Sequence, residues 1–407
     1  MQDTPKGNRL HIAILGRRNA GKSSLINALA KQEVALVSDI PGTTTDPVYK
    51  AMEILPVGPV MLVDTAGIDD EGELGSMRVE RSMQVLAKAD VSIMVISADE
   101  QLSEYEHQLI RYIRKEELPV IGVVNKSDLE QFSERNKQIW EEQLGIPLLA
   151  VSAINHNGIE KLKQMIIEQA PDDWEGAPII GDLLNPGDYV VLVVPIDLSA
   201  PKGRLILPQV QTIRDVLDHD AYSIIVKERE LKETLDNVRK PPRIVVTDSQ
   251  EFLKVAADTP EEVMLTSFSI LFARNKGELA TLVAGAKAIE KLKPGDRVLI
   301  AEACTHHRQA DDIGKVKIPR WLRQWVGGEL VFDWTSGGSF PEDLDRYQLI
   351  VHCGACMLTR RQMLQRLSIA RQNQVPIVNY GVLIAFIHGI LKRALFPFPS
   401  ALCMLEE

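Results

Sequence analysis

Nine residues near the amino terminus have the composition and spacing of a phosphate-binding loop. The stretch GRRNAGKSS, Gly16 to Ser24, follows the apolar segment HIAIL and precedes the helical pattern SSLINALAK. Glycines in such a loop let backbone N–H groups approach phosphates at a helix N-terminus. We expect Lys22 to reach the β- and γ-phosphates and the Ser23 hydroxyl to bind Mg²⁺. The predicted nucleotide contacts in this loop are Gly16, Asn19, Ala20, Gly21, Lys22, Ser23 and Ser24.

A second group of reactive side chains lies in the stretches EACTHHR and HCGAC, far along the chain. Its members are Cys304, His306, His352, Cys353 and Cys356, with 45 residues between the two histidines. Three cysteines and two histidines allow a tetrahedral zinc site, and equally a [4Fe–4S] cluster with an open fourth iron position. The spacing of these residues does not distinguish a zinc site from a [4Fe–4S] cluster. His307 is a weaker candidate, and Cys403, which lacks polar neighbours, is expected to be an ordinary buried apolar side chain.

Three short motifs indicate which nucleotide the loop binds. In DTAG the Asp64 carboxylate is expected to help hold Mg²⁺, while the Gly67 amide faces the γ-phosphate. The stretches NKSD and SA end later strand patterns and resemble the guanine-reading motifs of the small-GTPase superfamily. They contribute Asn125, Lys126, Asp128, Ser152 and Ala153. In that superfamily the aspartate accepts the N1–H and 2-amino hydrogens of guanine, which adenine lacks, so GTP and GDP are the predicted ligands.

The segment between the phosphate loop and DTAG resembles the first switch of the same superfamily. In DIPGTTTDP, Thr44 aligns best with the threonine that caps Mg²⁺ and the γ-phosphate, with Thr43 and Thr45 as alternatives. Ile68 follows DTAG, where Ras-like enzymes carry the glutamine that orients water. The chain is therefore predicted to be a slow GTPase. The predicted catalytic residues are Lys22, Thr44 and Gly67.

The phosphate loop also resembles that of the bacterial GTPases related to tRNA-modifying and ribosome-assembly enzymes. Some of these use an asparagine at the position of Asn19 to bind K⁺ beside the phosphates. A K⁺ ion there would supply positive charge where other GTPases use an arginine from a partner. The resemblance therefore implies that K⁺ stimulates hydrolysis.

These residues must be positioned by alternating strands and helices. Short β-branched segments alternate with amphipathic helical patterns from Leu10 to about Ala170, again from Tyr189, and again from about Leu271, which is typical of α/β domains with mostly parallel sheets. The predicted organisation is a P-loop GTPase domain at 1–172, a Pro- and Gly-rich linker at 173–188, an α/β domain at 189–270 and an α/β metal-binding domain at 271–407. In a parallel sheet the two cysteine segments would both follow strand ends and could meet at one edge.

The composition of the chain argues against two classes of binding partner, nucleic acids and membranes. A net charge of −10 and a pI near 5.5 argue against a broad nucleic-acid-binding or membrane-binding surface. The polar start of the chain lacks the features of a signal peptide, and the apolar run Gly381 to Ile390 is too short to cross a bilayer and is predicted to be a buried helix. We expect a cytoplasmic protein that binds neither nucleic acid nor membrane.

C-x-H followed at this distance by H-C-x-x-C, behind a GTPase domain, resembles the HydF family of [FeFe]-hydrogenase maturation GTPases. The resemblance covers the whole chain and implies that the middle domain mediates homodimerisation. It implies that three cysteines hold a [4Fe–4S] cluster, with His306 and His352 as fourth ligand or as neighbours of the cluster. The implied cysteine ligands are Cys304, Cys353 and Cys356.

The resemblance also implies a function and partners. Members serve as a scaffold or carrier on which a diiron precursor of the hydrogenase active site is completed and then delivered to apo-[FeFe]-hydrogenase. The precursor comes from two radical-SAM maturases. An alternative from a different class is an RNA-acting GTPase, for tRNA modification or ribosome assembly, with a structural zinc in its C-terminal domain.

Overall fold

The computed structural model describes residues 4–30, 48–64, 85–129, 132–171, 174, 176–195, 205–303, 312–337, 340–341 and 343–406. The chain divides into two compact units, Met1–Glu175 and Gly176–Glu407. The finer boundaries expected from the sequence stay a prediction. Within the stretch predicted as a linker, Ile179 and Ile180 are buried in the core of the second unit.

The first unit contains a six-stranded sheet with the order β2-β3-β1-β4-β5-β6. Its strands are β1 Leu10–Leu15, β2 Val48–Ile54, β3 Gly58–Asp64, β4 Val91–Ser97, β5 Val120–Asn125 and β6 Leu148–Ala150. The β2–β3 pair is antiparallel and the other pairs are parallel. The apolar strands β1 and β4 are buried along their whole length, as expected for a sheet covered on both faces.

Helices cover both faces of this sheet. They are α1 Lys22–Ala30, α2 Glu104–Lys115, α3 Glu134–Leu144 and α4 Ile159–Gln169. Alternate side chains of β1 enter two separate cores, one shared with α1 and α4 and the other with α2 and α3. This arrangement leaves the carboxyl ends of the parallel strands at one edge, where loops can form a site.

The second unit contains two four-stranded sheets, both entirely parallel. The first has the order β10-β9-β7-β8 and is formed by β7 Tyr189–Val193, β8 Tyr222–Val226, β9 Ile244–Thr247 and β10 Met264–Ser267. The second has the order β12-β11-β13-β14 and is formed by β11 Arg297–Glu302, β12 Val331–Ser336, β13 Leu349–His352 and β14 Ile377–Asn379. One continuous core reaches from the first of these sheets to the second.

Ten helices are described in this unit. They are α5 Leu207–Asp218, α6 Leu231–Asn237, α7 Phe252–Asp258, α8 Phe268–Lys276, α9 Leu279–Ala286, α10 Ile318–Val326, α11 Arg360–Gln372, α12 Tyr380–Ile387, α13 Leu391–Leu395 and α14 Pro399–Glu406. The predicted buried helix in the run 381–390 is confirmed by α12. Among the described helices, none is both long enough and apolar enough to cross a bilayer.

The α/β fold with mostly parallel sheets is confirmed. The strand patterns that the sequence places before NKSD, SA and the two cysteine segments are present as β5, β6, β11 and β13, and the structure adds β2, which the sequence pattern did not indicate. In β2 the charged residues Lys50 and Glu53 interrupt the apolar pattern, which is tolerated because the strand lies at the edge of its sheet.

Candidate functional site

Two glycines shape the phosphate-binding loop between β1 and α1. Gly16 has a φ of +148°, and a Cβ there would lie 2.3 Å from the carbonyl oxygen of Val95. Gly21 has a φ of +85°, and a Cβ there would lie 2.2 Å from Nδ2 of Asn125. Both approaches are far below van der Waals contact, so only glycine fits either position. Asn19, between them, also has a positive φ of 63° and is exposed.

Lys22 is the first residue of α1 and its side chain folds back over the loop. Its Nζ donates hydrogen bonds to the carbonyl oxygens of Gly16 at 2.6 Å and Arg17 at 2.7 Å. The cation is buried at the N-terminus of a helix, where phosphate oxygens are the favoured acceptors. The side chain thus already lies in the loop that the sequence assigns to phosphates.

The next residue of α1 faces the end of β3. The Ser23 hydroxyl donates to Oδ2 of Asp64 at 3.0 Å. The other carboxylate oxygen, Oδ1, is buried and has no hydrogen-bond partner among the described residues. A hydroxyl and a carboxylate oxygen at this distance suit Mg²⁺, which prefers oxygen ligands. Thr44 and Gly67, predicted to complete this part of the site, lie outside the described residues.

Asn125 connects the phosphate loop to the two guanine motifs. Its Nδ2 donates to the carbonyl oxygen of Ala20 at 3.0 Å, and its Oδ1 accepts from the Ala153 amide at 3.2 Å. The Ser152 hydroxyl is buried and accepts from the Asn155 amide at 3.1 Å. The structure therefore brings the strand ends of β5 and β6 against the phosphate loop.

The remaining guanine-motif side chains point outward. Asp128 is exposed. Lys126 has a φ of +62° and its Nζ forms an ion pair with Asp99 at 3.1 Å. The pKa of Asp99 lies below its ordinary value, chiefly because Ser97 donates a hydrogen bond to it, with Lys126 acting in the same direction. An exposed carboxylate at Asp128 is available to a base.

The strand ends that precede the two cysteine segments lie side by side at the carboxyl edge of the last sheet. β11 and β13 are neighbours, with Ala301 paired to His352, and the Ala303 amide donates to Sγ of Cys353 at 3.1 Å. Cys304 is the next residue along the chain but lies outside the described residues, as do His306 and His307. Among the residues that the structure describes, no three cysteine, histidine or carboxylate side chains converge on one point as metal ligands would.

Cys353 and Cys356 are both half-buried. Burial raises the pKa of the Cys353 thiol, while hydrogen bonds from the Ala303 and Ala355 amides and the charge of Arg366 act in the opposite direction. Amide-to-sulfur hydrogen bonds of this kind accompany thiolates that hold iron–sulfur clusters. The local donor set therefore fits a thiolate-ligated cluster.

Both ring nitrogens of His352 are already engaged. Nε2 lies 2.8 Å from Nη1 of Arg366, and because a guanidinium can only donate, Nε2 is assigned as the acceptor. Nδ1 then carries the proton and donates to the carbonyl oxygen of Cys353 at 2.8 Å. Burial, with the nearby Arg366, lowers the pKa of His352 to about 3. In this arrangement the imidazole is neutral, and neither nitrogen faces a metal.

Other buried polar groups surround the same edge. Tyr380, at the start of α12, donates to Oε1 of Glu302, the last residue of β11, at 3.2 Å. Burial, followed by the charges of Cys353 and Glu302, raises the pKa of Tyr380 well above its ordinary value. Arg366 in α11 is 4% exposed. The sequence pattern indicates Tyr380, because the strand PIVNY ends at Asn379, Tyr380 and Gly381 and these residues are expected to border the same edge. No motif indicated Arg366, and the signal that could have found it is a charged residue inside an otherwise core-facing helical pattern.

One expectation about the cysteines was wrong. Cys403, predicted to be buried, is exposed on α14. It follows the buried Ala401 by two positions, which is about 200° around a helix, so its side chain points away from the core. The neighbours of Cys403 in the sequence are apolar, but its side chain lies on the exposed face of the helix.

Comparison with protein families divides the chain into three matched parts. Residues 11–126 match the model of the 50S ribosome-binding GTPase, residues 179–277 the hydrogen maturase F dimerization domain, and residues 280–397 the hydrogen maturase F tetramerization domain. The last two together cover more than half of the chain. All of the described phosphate-loop residues lie in the first match, and Cys353, Cys356 and Arg366 lie in the third.

Individual relatives share the GTPase part. The tRNA modification GTPase MnmE of Geobacillus thermodenitrificans is 40% identical over 160 residues, which are 39% of this chain and 34% of the relative. GTPase Der of Mycoplasmopsis pulmonis is 38% identical over 170 residues, 39% of each chain. The chain thus spans little more than a third of the length of these relatives.

Among solved structures, the G domain of T. maritima FeoB is 23% identical with a TM-score of 0.32, covering 40% of this chain and 99% of that one. The sequence identity and the TM-score are too low to support an argument about the fold. The two hydrogen maturase F matches, behind a GTPase domain whose phosphate loop is formed as described, decide the family. This chain belongs to the hydrogen maturase F (HydF) family of hydrogenase maturation GTPases.

Proposed function

We propose that this chain hydrolyses GTP and serves as a scaffold that holds a [4Fe–4S] cluster and carries the diiron precursor of the hydrogenase active site to apo-[FeFe]-hydrogenase. The observation that carries the proposal is the position of the Cys353 thiol. It lies at a strand end beside the residue that precedes Cys304, within a domain matched to hydrogen maturase F.

At the phosphate end, the chain's own groups bind and orient the nucleotide. Lys22 exchanges its loop carbonyls for β- and γ-phosphate oxygens, and Ser23 with Asp64 holds Mg²⁺. Asp128 reads the guanine edge while Asn125 keeps the base motifs against the loop. Thr44 and Gly67 respond to the γ-phosphate, and Asn19 holds K⁺, which stimulates an otherwise slow hydrolysis.

At the metal end, Cys304, Cys353 and Cys356 would hold the cluster. When bound, the cluster supplies one iron not held by cysteine, which can accept a bridging ligand from the diiron cargo. The Ala303 amide orients the Cys353 sulfur, and Arg366 holds the His352 ring turned away as a neighbour. His306 is the remaining histidine candidate for the fourth ligand.

The proposal includes partners. The two radical-SAM maturases supply the cargo, apo-[FeFe]-hydrogenase receives it, and the chain acts as a homodimer. The dimerization-domain match supports association of copies. The alternative of an RNA-acting GTPase with structural zinc is less favoured, because the likeness to tRNA modification GTPases is limited to 39% of the chain.

Metal analysis after anaerobic purification tests the cluster. We expect about four irons per chain in the parent and, after one-electron reduction with dithionite, a characteristic EPR signal, and loss of both in Cys304→Ala, Cys353→Ala and Cys356→Ala. Cys403→Ala is the matched control, because this exposed cysteine belongs to no site, and it should retain the iron. A colourless parent protein loaded with zinc would contradict the proposal.

Delivery requires a second experiment. The cluster-loaded parent is charged with the diiron precursor and mixed with apo-[FeFe]-hydrogenase, and hydrogen evolution is measured. We expect activation with the parent and none with Cys353→Ala. If the loaded parent fails under conditions where an established maturation system succeeds, the chain binds a cluster without delivering cargo.

A further inference from the structure

Arg17, the second residue of the phosphate-binding loop, ties that loop to the segment 98–106, which leads from β4 into α2. Its Nε donates to Oε1 of Glu106, in the first turn of α2, at 2.7 Å. Its Nη2 donates to the carbonyl oxygen of Gln101 at 2.5 Å, and its Nη1 forms an ion pair with Oε2 of Glu100 at 3.4 Å. Each guanidinium nitrogen thus faces an acceptor, and the planar group is held in one orientation.

The carboxylate that receives Arg17 is itself buried and fixed. Glu106 is 1% exposed, and its Oε2 accepts hydrogen bonds from the amide and the hydroxyl of Ser103, both at 2.8 Å. These bonds belong to the capping box that begins α2. A buried carboxylate is costly unless it is paired and hydrogen-bonded, and Arg17 supplies a cation in direct contact with it. The phosphate loop is therefore joined to the rigid start of a helix.

The backbone of Arg17 belongs to the network of the loop. Its carbonyl oxygen accepts from Nζ of Lys22 at 2.7 Å and from the Ala20 amide at 3.3 Å. From the side of the guanine motifs, Nδ2 of Asn125 donates to the Ala20 carbonyl oxygen at 3.0 Å. The loop is thus fastened at two points, by Asn125 at the end of β5 and by the side chain of Arg17 at the start of α2.

We propose that Arg17 is a positioning residue for nucleotide binding, which acts through Glu106 to keep the phosphate loop in its binding-competent form before the nucleotide arrives. The inference rests on the proposed function, since it concerns the loop that binds GTP there. Without this contact the loop would also adopt other conformations, and the apparent affinity would fall with the fraction that stays competent. Because the loop contacts the phosphates in the ground state and the transition state alike, KM should rise while kcat stays the same.

The test uses the full chain and separates positioning from charge balance. Arg17→Met removes the guanidinium beside Glu106, whereas the double variant Arg17→Met/Glu106→Gln removes the buried negative charge as well. Glutamine at this position can still accept from Ser103 in the capping box. Arg111→Met is the matched control, because Arg111 also forms an ion pair on α2, with Glu104 at 2.6 Å, but at an exposed site.

Fluorescent titrations with GDP and with a GTP analogue that resists hydrolysis measure the affinities. Phosphate release gives kcat and KM. We expect Arg17→Met and the double variant to bind both nucleotides about tenfold more weakly, which corresponds to a competent loop in about a tenth of the molecules. Their kcat should stay within about twofold of the parent. Arg111→Met should match the parent in all of these quantities.

Thermal unfolding followed by circular dichroism shows whether stability changes along with affinity. The unfolding midpoint should fall in Arg17→Met, because a buried carboxylate loses its cation, and should recover toward the parent's in the double variant. Weak nucleotide binding by a double variant of restored stability would be the result of lost positioning.

Three outcomes would overturn the inference. A double variant with the parent's affinity would show that Arg17 only balances the charge of Glu106. A lower kcat with an unchanged KM would place Arg17 in the chemical step. A double variant that fails to fold would assign the residue to stability alone. A parent chain that binds neither GDP nor the GTP analogue defeats the proposed function itself, which is a separate result.

Discussion

The two ends of this chain build their sites in opposite ways. The phosphate site is centred on consecutive residues of one loop and the first residues of α1, to which Asp64 and Asn125 add contacts from the ends of β3 and β5. The proposed metal end gathers buried side chains from β11, β13, α11 and α12, which are far apart in sequence. The phosphate-binding loop can be encoded in nine consecutive residues, because many of its contacts are with backbone atoms. The surroundings of the Cys353 thiol instead come from several segments of the domain.

The largest expected effect tests whether the two ends are independent. Lys22→Ala should lower the GTP hydrolysis rate by about 10²–10³, because it removes the cation at the phosphates. Iron content should equal that of the parent. Phosphate release and iron analysis on the same preparation measure both quantities. Arg111→Ala, which removes an arginine paired with Glu104 on the exposed face of α2, is the control. Loss of iron in Lys22→Ala alone would contradict the separation of the two ends.

Base recognition gives the next effect. Asp128→Asn should weaken GTP binding about 100-fold, because the amide presents a donor where guanine also presents donors. Xanthosine triphosphate, which has a carbonyl at C2, should bind the variant better than GTP does. Fluorescent nucleotide titration measures both affinities. Unchanged GTP affinity would show that Asp128 does not contact the base.

A smaller effect concerns the cation beside the phosphates. Replacing K⁺ by Na⁺ at constant ionic strength should lower the GTPase rate several-fold in the parent, and Asn19→Ala should remove that difference. The reason is that K⁺ supplies positive charge where the reacting phosphate becomes more negative. Rates are measured with saturating Mg²⁺. Equal GTPase rates of the parent in K⁺ and in Na⁺ would show that Asn19 does not act through a bound K⁺.

The smallest effect concerns how the second unit is held together. Arg393 in α13 donates to the carbonyl oxygens of Ala256 at 2.8 Å, Thr259 at 2.6 Å and Pro260 at 2.9 Å, at and beyond the end of α7. Arg393→Met should lower the free energy of unfolding of the metal-free chain by about 2 kcal/mol, because charged donors to part-buried acceptors are lost. Urea denaturation followed by circular dichroism measures it.

The control for that measurement is Arg371→Met, whose exposed ion pair with Glu278 is expected to contribute less than about 1 kcal/mol. Equal losses in the two variants would mean that the contacts of Arg393 add nothing beyond those of a surface pair. The GTPase rate should be the same in both, since neither residue lies in the first unit.

Much of the fold and of the phosphate site could be predicted because the signals are local. β1, β4 and β5 are apolar runs of strand length, and the glycines at 16 and 21 stand where no other residue fits. The edge strand β2 gave no such signal, because only one of its sides has a neighbouring strand and charged residues are accepted there.

The sequence by itself predicted the candidate ligands and the strands that they follow: thiols after β11 and β13, and a lysine, a serine and an aspartate around a phosphate loop. Only the tertiary structure decided that Arg366 donates a hydrogen bond to Nε2 of His352, 14 residues away in the sequence. The same holds for the hydrogen bond from Tyr380 to Glu302, which are 78 residues apart. Motifs record contacts between near neighbours in the chain. Burial, charge and hydrogen-bond partners depend on segments that meet only when the sheet and its helices pack together.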